Sequence, residues 1–134
     1  MHWSEKYIDT PYLYRGRTLE ALDCYGLVKV VYKNEFSIEL PDFDLPDVES
    51  TKMTEKAFED SHMLGIWFRA AFPKEGDVIE INIGGHPIHC GIVVSPNSML
   101  HILGGYTARI ERYDSTRWSS RINGIYRHKD KCCA

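Results

Sequence analysis

Three residues in this chain have the chemistry of a nucleophile and its proton handlers: Cys24, His89 and His101. Cys24 follows Asp23, a residue type favoured at helix N-caps, and precedes Leu27, Val28, Val31 and Tyr32, which are spaced as one face of a helix. That pattern puts the thiol in the first helical turn. Unpaired N–H groups and the positive end of the helix dipole favour an anion there, and the thiolate is the nucleophilic form of cysteine. The commoner fate of a single cysteine is burial in a core helix. The histidines later in the chain shift that balance.

His89-Cys90-Gly91-Ile92-Val93 has strand composition, and a two-residue period puts His89, Gly91 and Val93 on one face and Cys90, Ile92 and Val94 on the other. If the hairpin through Ser95-Pro96-Asn97-Ser98 sets Gly91 opposite His101, both imidazoles share a face and lie on a diagonal within polar reach. A slip of one residue sends His101 to the other side. With Cys24 packed against that face, the parts are a nucleophile, a general base and an orienter. His89 takes the thiol proton to give a thiolate–imidazolium pair, and His101 holds its other ring nitrogen. Backbone amides of the first helical turn, that of Cys24 among them, are placed to stabilise a tetrahedral oxyanion. The chemistry is acyl transfer to cysteine followed by hydrolysis.

A competing reading makes His86, His89, Cys90 and His101 a zinc site. His89 and Cys90 project to opposite faces, however, and no CxxC or HExxH spacing occurs, so we expect neither metal nor other cofactor. Cys132 and Cys133 are adjacent at the C-terminus and read as a reduced tail.

The elements that must position these residues follow from periodicity. The stretch 3–17 is aromatic and turn-prone, with Trp3, Tyr7, Tyr12 and Tyr14 around Thr10-Pro11, and reads as a short helix or irregular strap stapled to the core. Tyr12, following a proline, belongs to loop or strand, where its phenol can line a site. A helix is expected over 24–34, then an extended run through Ile38 and Leu40, an acidic, proline-bounded loop over 41–47, and a second helix over 55–69. That second helix uses Ala57, Phe58, Met63 and Trp67 as apolar contacts and leaves His62 half-exposed. Period-2 segments follow at 78–83, 89–94, 99–103, 108–113 and 124–127, with a turn at Gly84-Gly85 that includes His86. Helices first and strands afterwards predict an α+β fold: N-terminal helices packed on a C-terminal antiparallel sheet of about five strands.

Bulk properties restrict the function classes. The 134 residues suit one domain, 43% hydrophobic and 26% charged. A net charge of −3 with scattered Lys and Arg argues against a dedicated nucleic-acid binder. No apolar run is long enough to span a bilayer, and the first residues lack a signal-peptide core, so synthesis in the cytoplasm without membrane insertion is expected.

Five separated motifs in order, Pro11-Tyr12, Asp23-Cys24-Tyr25-Gly26-Leu27-Val28, Glu75-Gly76-Asp77, His89-Cys90-Gly91-Ile92-Val93 and His101, resemble the NlpC-type, papain-like cell-wall cysteine peptidases. The corresponding family patterns are PY, DCSGLV, PGD, HVGIY and a final His. The aromatic after the cysteine, the stretch Ile38-Glu39-Leu40-Pro41-Asp42 and the segments from Arg117-Trp118 to Tyr126-Arg127 look most like the phage branch, similar to the hydrolase domain of lambda-type tail assembly proteins. The resemblance implies a papain-like fold with catalytic Cys24, His89 and His101 and a supporting phenol at Tyr12. It also implies that Asp23 can pair with a substrate ammonium besides capping. The implied activity is cleavage of peptidoglycan stem peptides, commonly between γ-D-glutamyl and a diamino acid, with phage tail proteins as partners and a virion tail acting at the bacterial wall as the location. Tyr25 stands where the family usually has serine and re-shapes the substrate pocket; Lys74 stands where a proline often precedes the turn. A structural tail component of little activity, or an acyltransferase or amidase on the same scaffold, is the alternative.

Overall fold

A computed structural model describes residues 2–42, 51–63 and 65–131. Most of the acidic loop, the side chains of His62 and Met63, and the terminal cysteines fall outside what it describes. The chain opens with a 3-10 turn, Trp3–Tyr7, and a two-residue-strand hairpin, β1 (Arg17–Thr18) and β2 (Ala21–Leu22). Helices α1 (Cys24–Phe36) and α2 (Thr51–Met63) follow. The remaining strands are β3 (Trp67–Arg69), β4 (Val78–Ile83), β5 (His86–Ser95), β6 (Ser98–His101), β7 (Arg109–Arg112) and β8 (Ile122–His128). These six form one antiparallel sheet in the order β3-β8-β4-β5-β6-β7. Among the described residues no helix is long and apolar enough to cross a membrane.

The α+β arrangement holds, and the sheet has six strands where five were expected. The extra strand is β3, which falls inside the expected second helix over 55–69. That helix ends at Met63 instead. Gly65 adopts a φ of +69°, a left-handed conformation that breaks the helical path, and Trp67–Arg69 then pairs with Tyr126 to His128 of β8. His86 was assigned to the turn but opens β5, paired with Ile83, and its ring lies 3.0 Å from Glu55 Oε2 on α2. The turn is the two residues Gly84-Gly85 alone.

Two apolar layers flank the sheet. On one side, α1 contributes Leu27, Val28, Val31 and Tyr32 against Cys90, Ile92, Leu100 and Ile102. On the other, Ile79, Ile81, Val93, Met99 and Tyr113 gather around Trp118. The strict alternation along β5 and β6 therefore sorts the residues expected to do chemistry: Cys90 goes to the α1 layer, and His89 and His101 go with Trp118.

The N-terminal strap and the Glu75-Gly76-Asp77 turn brace each other. Trp3 Nε1 donates to Glu75 at 2.8 Å, the His2 ring meets the same oxygen, and the Tyr32 hydroxyl donates to the Gly76 carbonyl. Asp77, fully buried, accepts a two-pronged contact from Arg127 at 2.9 and 2.8 Å and a third hydrogen bond from the Lys74 amide at 2.8 Å. The turn is thereby fixed to β8. Removing one partner of a buried pair strands the other's charge, at a cost of roughly 3 kcal/mol or more. Asp77→Ala should therefore lower the unfolding free energy by about 3 kcal/mol in denaturant titrations; a loss under about 1 kcal/mol would mean that the pair is not holding the turn.

Candidate active site

Cys24 is the first residue of α1, and Asp23 is its N-cap: Asp23 Oδ1 accepts from the Gly26 amide at 2.7 Å. Such a cap contributes about 1 kcal/mol and fixes the first turn. Asp23 does more than cap, since Oδ1 also accepts from Arg17 Nη1 at 2.7 Å and Oδ2 from the Arg15 amide at 3.0 Å. Both of its oxygens are engaged within the protein. Gly26 permits the preceding loop to press on this turn, because a Cβ there would sit 2.0 Å from the Gly16 carbonyl oxygen.

The Cys24 sulfur lies on β5. It is 3.8 Å from the carbonyl oxygen of Ile88 and in hydrogen-bonding contact with the thiol of Cys90, the two residues that bracket His89. The sequence predicts Cys24 packed against the face that carries both imidazoles. Instead it meets the Cys90 face of β5, and neither imidazole nitrogen is among its partners. The alternation that sends Cys90 to the α1 layer turns the His89 ring to the other side. Cys24 is half-buried and Cys90 buried; contact with Cys24, burial and the negative groups Asp23 and Glu80 push the Cys90 thiol up.

His89 and His101 meet as the strand faces required. Gly91 pairs with His101, and His89 Nε2 lies 2.9 Å from His101 Nδ1. The register depends on a bulge. The turn pairs Ser95 with Ser98, which carried straight down the ladder would set His101 opposite Ile92; a one-residue shift between Val93 and Ser95 sets it opposite Gly91 instead. Gly91 leaves room for this pairing, since a Cβ would sit 3.0 Å from Met99 Sδ and 3.3 Å from His101 Cβ and both side chains would have to give way.

Both rings are buried, at 3% and 1% exposure. The indole of Trp118 covers them, 6.1 Å from the His89 ring and 5.1 Å, edge-on, from His101. Burial, and then the neighbouring His101, pull His89 down to about 3. The resting imidazole is therefore neutral at pH 7, which differs from the thiolate–imidazolium pair expected from the sequence: a charged ring is too costly in so dry a setting. His101 is also held low, chiefly by burial and further by Arg109 and Arg117, with Glu111 acting in the opposite direction.

The aromatic residues sit on the α1 side. Tyr12 pairs with Leu22, two residues before Cys24, and a Cβ on Gly104 would be 3.8 Å from its ring. The Tyr25 hydroxyl donates to the Pro41 carbonyl, the Arg17 guanidinium lies 5.6 Å from its ring centre, and burial pushes its phenol up. Sequence reasoning missed two neighbours of the histidine pair, Trp118 and Glu111. Trp118 carried no periodic signal, and Glu111 belongs to a strand whose register with β6 follows a loop too long to fix it. Among the described residues no three His, Cys, Asp or Glu side chains are grouped as a metal site would require.

The pattern of the NlpC/P60 family matches residues 9–127, and the chain belongs to that family. Its curated relatives include the tail tip assembly protein K of Escherichia phage N15, 29% identical over 131 residues, which cover 91% of this chain and 51% of that protein. The chain thus spans about half the length of the phage relative. Among solved structures, the NlpC/p60 domain of the peptidoglycan hydrolase SagA is 18% identical with a TM-score of 0.63, covering 92% of each chain. An NLP/P60 family protein from Bacillus cereus is 16% identical with a TM-score of 0.66, over 93% of this chain and 37% of that one. At these identities the structural neighbours establish the fold.

The two thiols at the site differ in access and environment. Iodoacetamide at neutral pH should alkylate Cys24 well before Cys90, as followed by peptide mass spectrometry; equal, slow labelling of both would make Cys24 an inert core residue.

Proposed function

We propose that this chain is a cysteine peptidase that hydrolyses peptide bonds in bacterial peptidoglycan stem peptides. The bond is the one between γ-D-glutamyl and a diamino acid, and the setting is a phage tail. The observation that carries the reading is the hydrogen-bonded His89–His101 pair, buried beneath Trp118 on the strand against which Cys24 opens its helix. Two neutral imidazoles buried in contact contribute little to a core that apolar residues would fill better, whereas a cysteine hydrolase uses one as base and the other as its orienter. Family membership and the likeness to a phage tail tip protein support the substrate and the setting.

For the reaction the sulfur must leave Ile88 and Cys90 and meet His89 past the β5 backbone that separates the two layers; Nδ1 of His89 then takes the thiol proton as sulfur attacks the scissile carbonyl. In the first turn, the Gly26 amide is held by the Asp23 side chain and the Leu27 amide by the Asp23 carbonyl, so the Cys24 amide serves the oxyanion. The tetrahedral species collapses to a thioester as the His89 imidazolium passes its proton to the leaving amine. Water then attacks the thioester with His89 again as base, releasing the acid and restoring the thiol. His101 keeps the His89 ring in orientation throughout. Tyr12 and Tyr25, on the α1 side, line the approach to the sulfur, and Tyr25 shapes the pocket. Asp23 supports the site by holding the first turn; with both oxygens engaged by Gly26, Arg17 and Arg15, its part is capping and not the pairing with a substrate ammonium that the family resemblance implied.

Mass spectrometry of digests from peptidoglycans of differing stem composition tests this directly. Wild-type protein should release fragments cut at one bond type, and Cys24→Ala should release none while its thermal transition stays within a few degrees. Fragment release by Cys24→Ala would refute the nucleophile, and silence of the wild type on every stem type would favour a structural tail component.

A further inference from the structure

Two neutral histidines in contact can share their hydrogen in either direction, and only one direction leaves His89 able to act as a base. If His89 Nε2–H donates to His101 Nδ1, the lone pair of His89 falls on Nδ1 and can accept the thiol proton. If His101 Nδ1–H donates to His89 Nε2, then His89 carries its hydrogen on Nδ1 and can accept nothing there. The 2.9 Å contact is compatible with both.

Glu111 breaks the symmetry. It lies on β7 one alternation beyond Arg109, the residue directly opposite His101, and its Oε2 is 2.5 Å from His101 Nε2. A carboxylate only accepts, so Nε2 of His101 must carry hydrogen and Nδ1 of the neutral ring must be the acceptor. The other carboxylate oxygen, Oε1, lies 3.4 Å from Arg117 Nη1, which orients the side chain. Arg117 also stacks over Trp118, at 4.8 Å from its ring centre, so the lid of the histidine pair and the anchor of its acid share one guanidinium.

We propose that Glu111 is a positioning residue that sets the tautomer of both histidines, so that the free lone pair of the relay falls on Nδ1 of His89. The inference rests on the reading of His89 as the base for Cys24. The charged groups facing His101 are consistent with it. Glu111 alone would draw a second proton onto the ring, and a doubly protonated His101 would donate to His89 in the wrong sense. Arg109 and Arg117, together with burial, oppose that protonation, so the ring stays neutral while its Nε2–H remains committed.

Two measurements separate this inference from the reading beneath it. The first is nitrogen NMR of ¹⁵N-histidine-labelled protein in a Cys24→Ala background, which needs no turnover. It should find the Nε2–H tautomer at both His89 and His101 near pH 7.5, and Glu111→Gln should convert this to a mixture, since an amide can donate as well as accept. The second is steady-state kinetics on a synthetic stem peptide. Glu111→Gln should lower kcat about 10²-fold with KM nearly unchanged, and Glu111→Asp should recover part of the loss. In a His101→Asn background, where the orienter has no tautomer, Glu111→Gln should have less than about a twofold further effect. An unchanged tautomer at His89 in Glu111→Gln, or an equal kinetic loss with and without His101, would overturn the proposal. Activity persisting in Cys24→Ala would instead overturn the nucleophile, and the NMR arm would still decide the role of Glu111.

Discussion

The arrangement of the site depends on one extra residue in β5. The Ser95–Ser98 turn starts a ladder that would place His101 on the α1 side of the sheet, away from His89; the irregularity between Val93 and Ser95 moves the register by one and brings His101 to the Trp118 side. The 2.9 Å contact between the rings follows from that shift, and so does their common burial under the indole. Gly91 completes the arrangement, because a side chain opposite His101 would press on its Cβ. Backbone register therefore does work that no single side chain performs, and it acts on a residue pair twelve positions apart.

Around that pair, the fold assigns different environments to the groups that the proposed reaction couples. The thiol is half-buried at the start of a helix, on the layer shared with Cys90, and its first turn is held rigid by Asp23, which is in turn held by Arg15 and Arg17. The imidazoles sit in the opposite layer, dry and neutral. The β5 backbone from Ile88 to Cys90 is the hinge between the two. Low dielectric makes each hydrogen bond in the run from Glu111 through His101 to His89 directional and costly to leave unmade, which favours a single proton arrangement. The same dryness disfavours a resting imidazolium, so in the proposed reaction charge develops at His89 only while the thiol proton is in transit.

Much of this was legible in the sequence where local chemistry decides it. Asp23 before an apolar 3.6-period marked the helix start to the residue, and alternation along 89–94 separated His89 from Cys90 correctly. The register of His101 agreed with the structure, although the turn alone would have given the opposite face; a bulge leaves no mark in an alternating pattern of Ile, Val and Ser. What was not legible depends on distant pairing. Trp67 and Phe68 read as a continuation of the second helix because their strand character comes from β8, sixty residues later, and not from their own neighbours. Glu111 went unassigned because the loop from Ile102 to Ala108 is too long to transmit register from β6 to β7. Trp118 lies in irregular chain, where no period identifies a buried face. The charge state of His89 was misjudged for a related reason: its burial comes from residues assembled across the whole sheet.

The central claim is that the Cys24 sulfur and the His89 ring act as one unit. It is tested most directly by a crystal structure of the protein bearing a covalent aldehyde inhibitor built on a stem-peptide fragment. The account predicts a thiohemiacetal on Cys24, with its oxygen facing the Cys24 amide, His89 Nδ1 within hydrogen-bond distance of the former thiol position, and the His89–His101 contact intact. A Cys24 adduct with the His89 ring beyond reach, or with His101 turned away from it, would contradict the account.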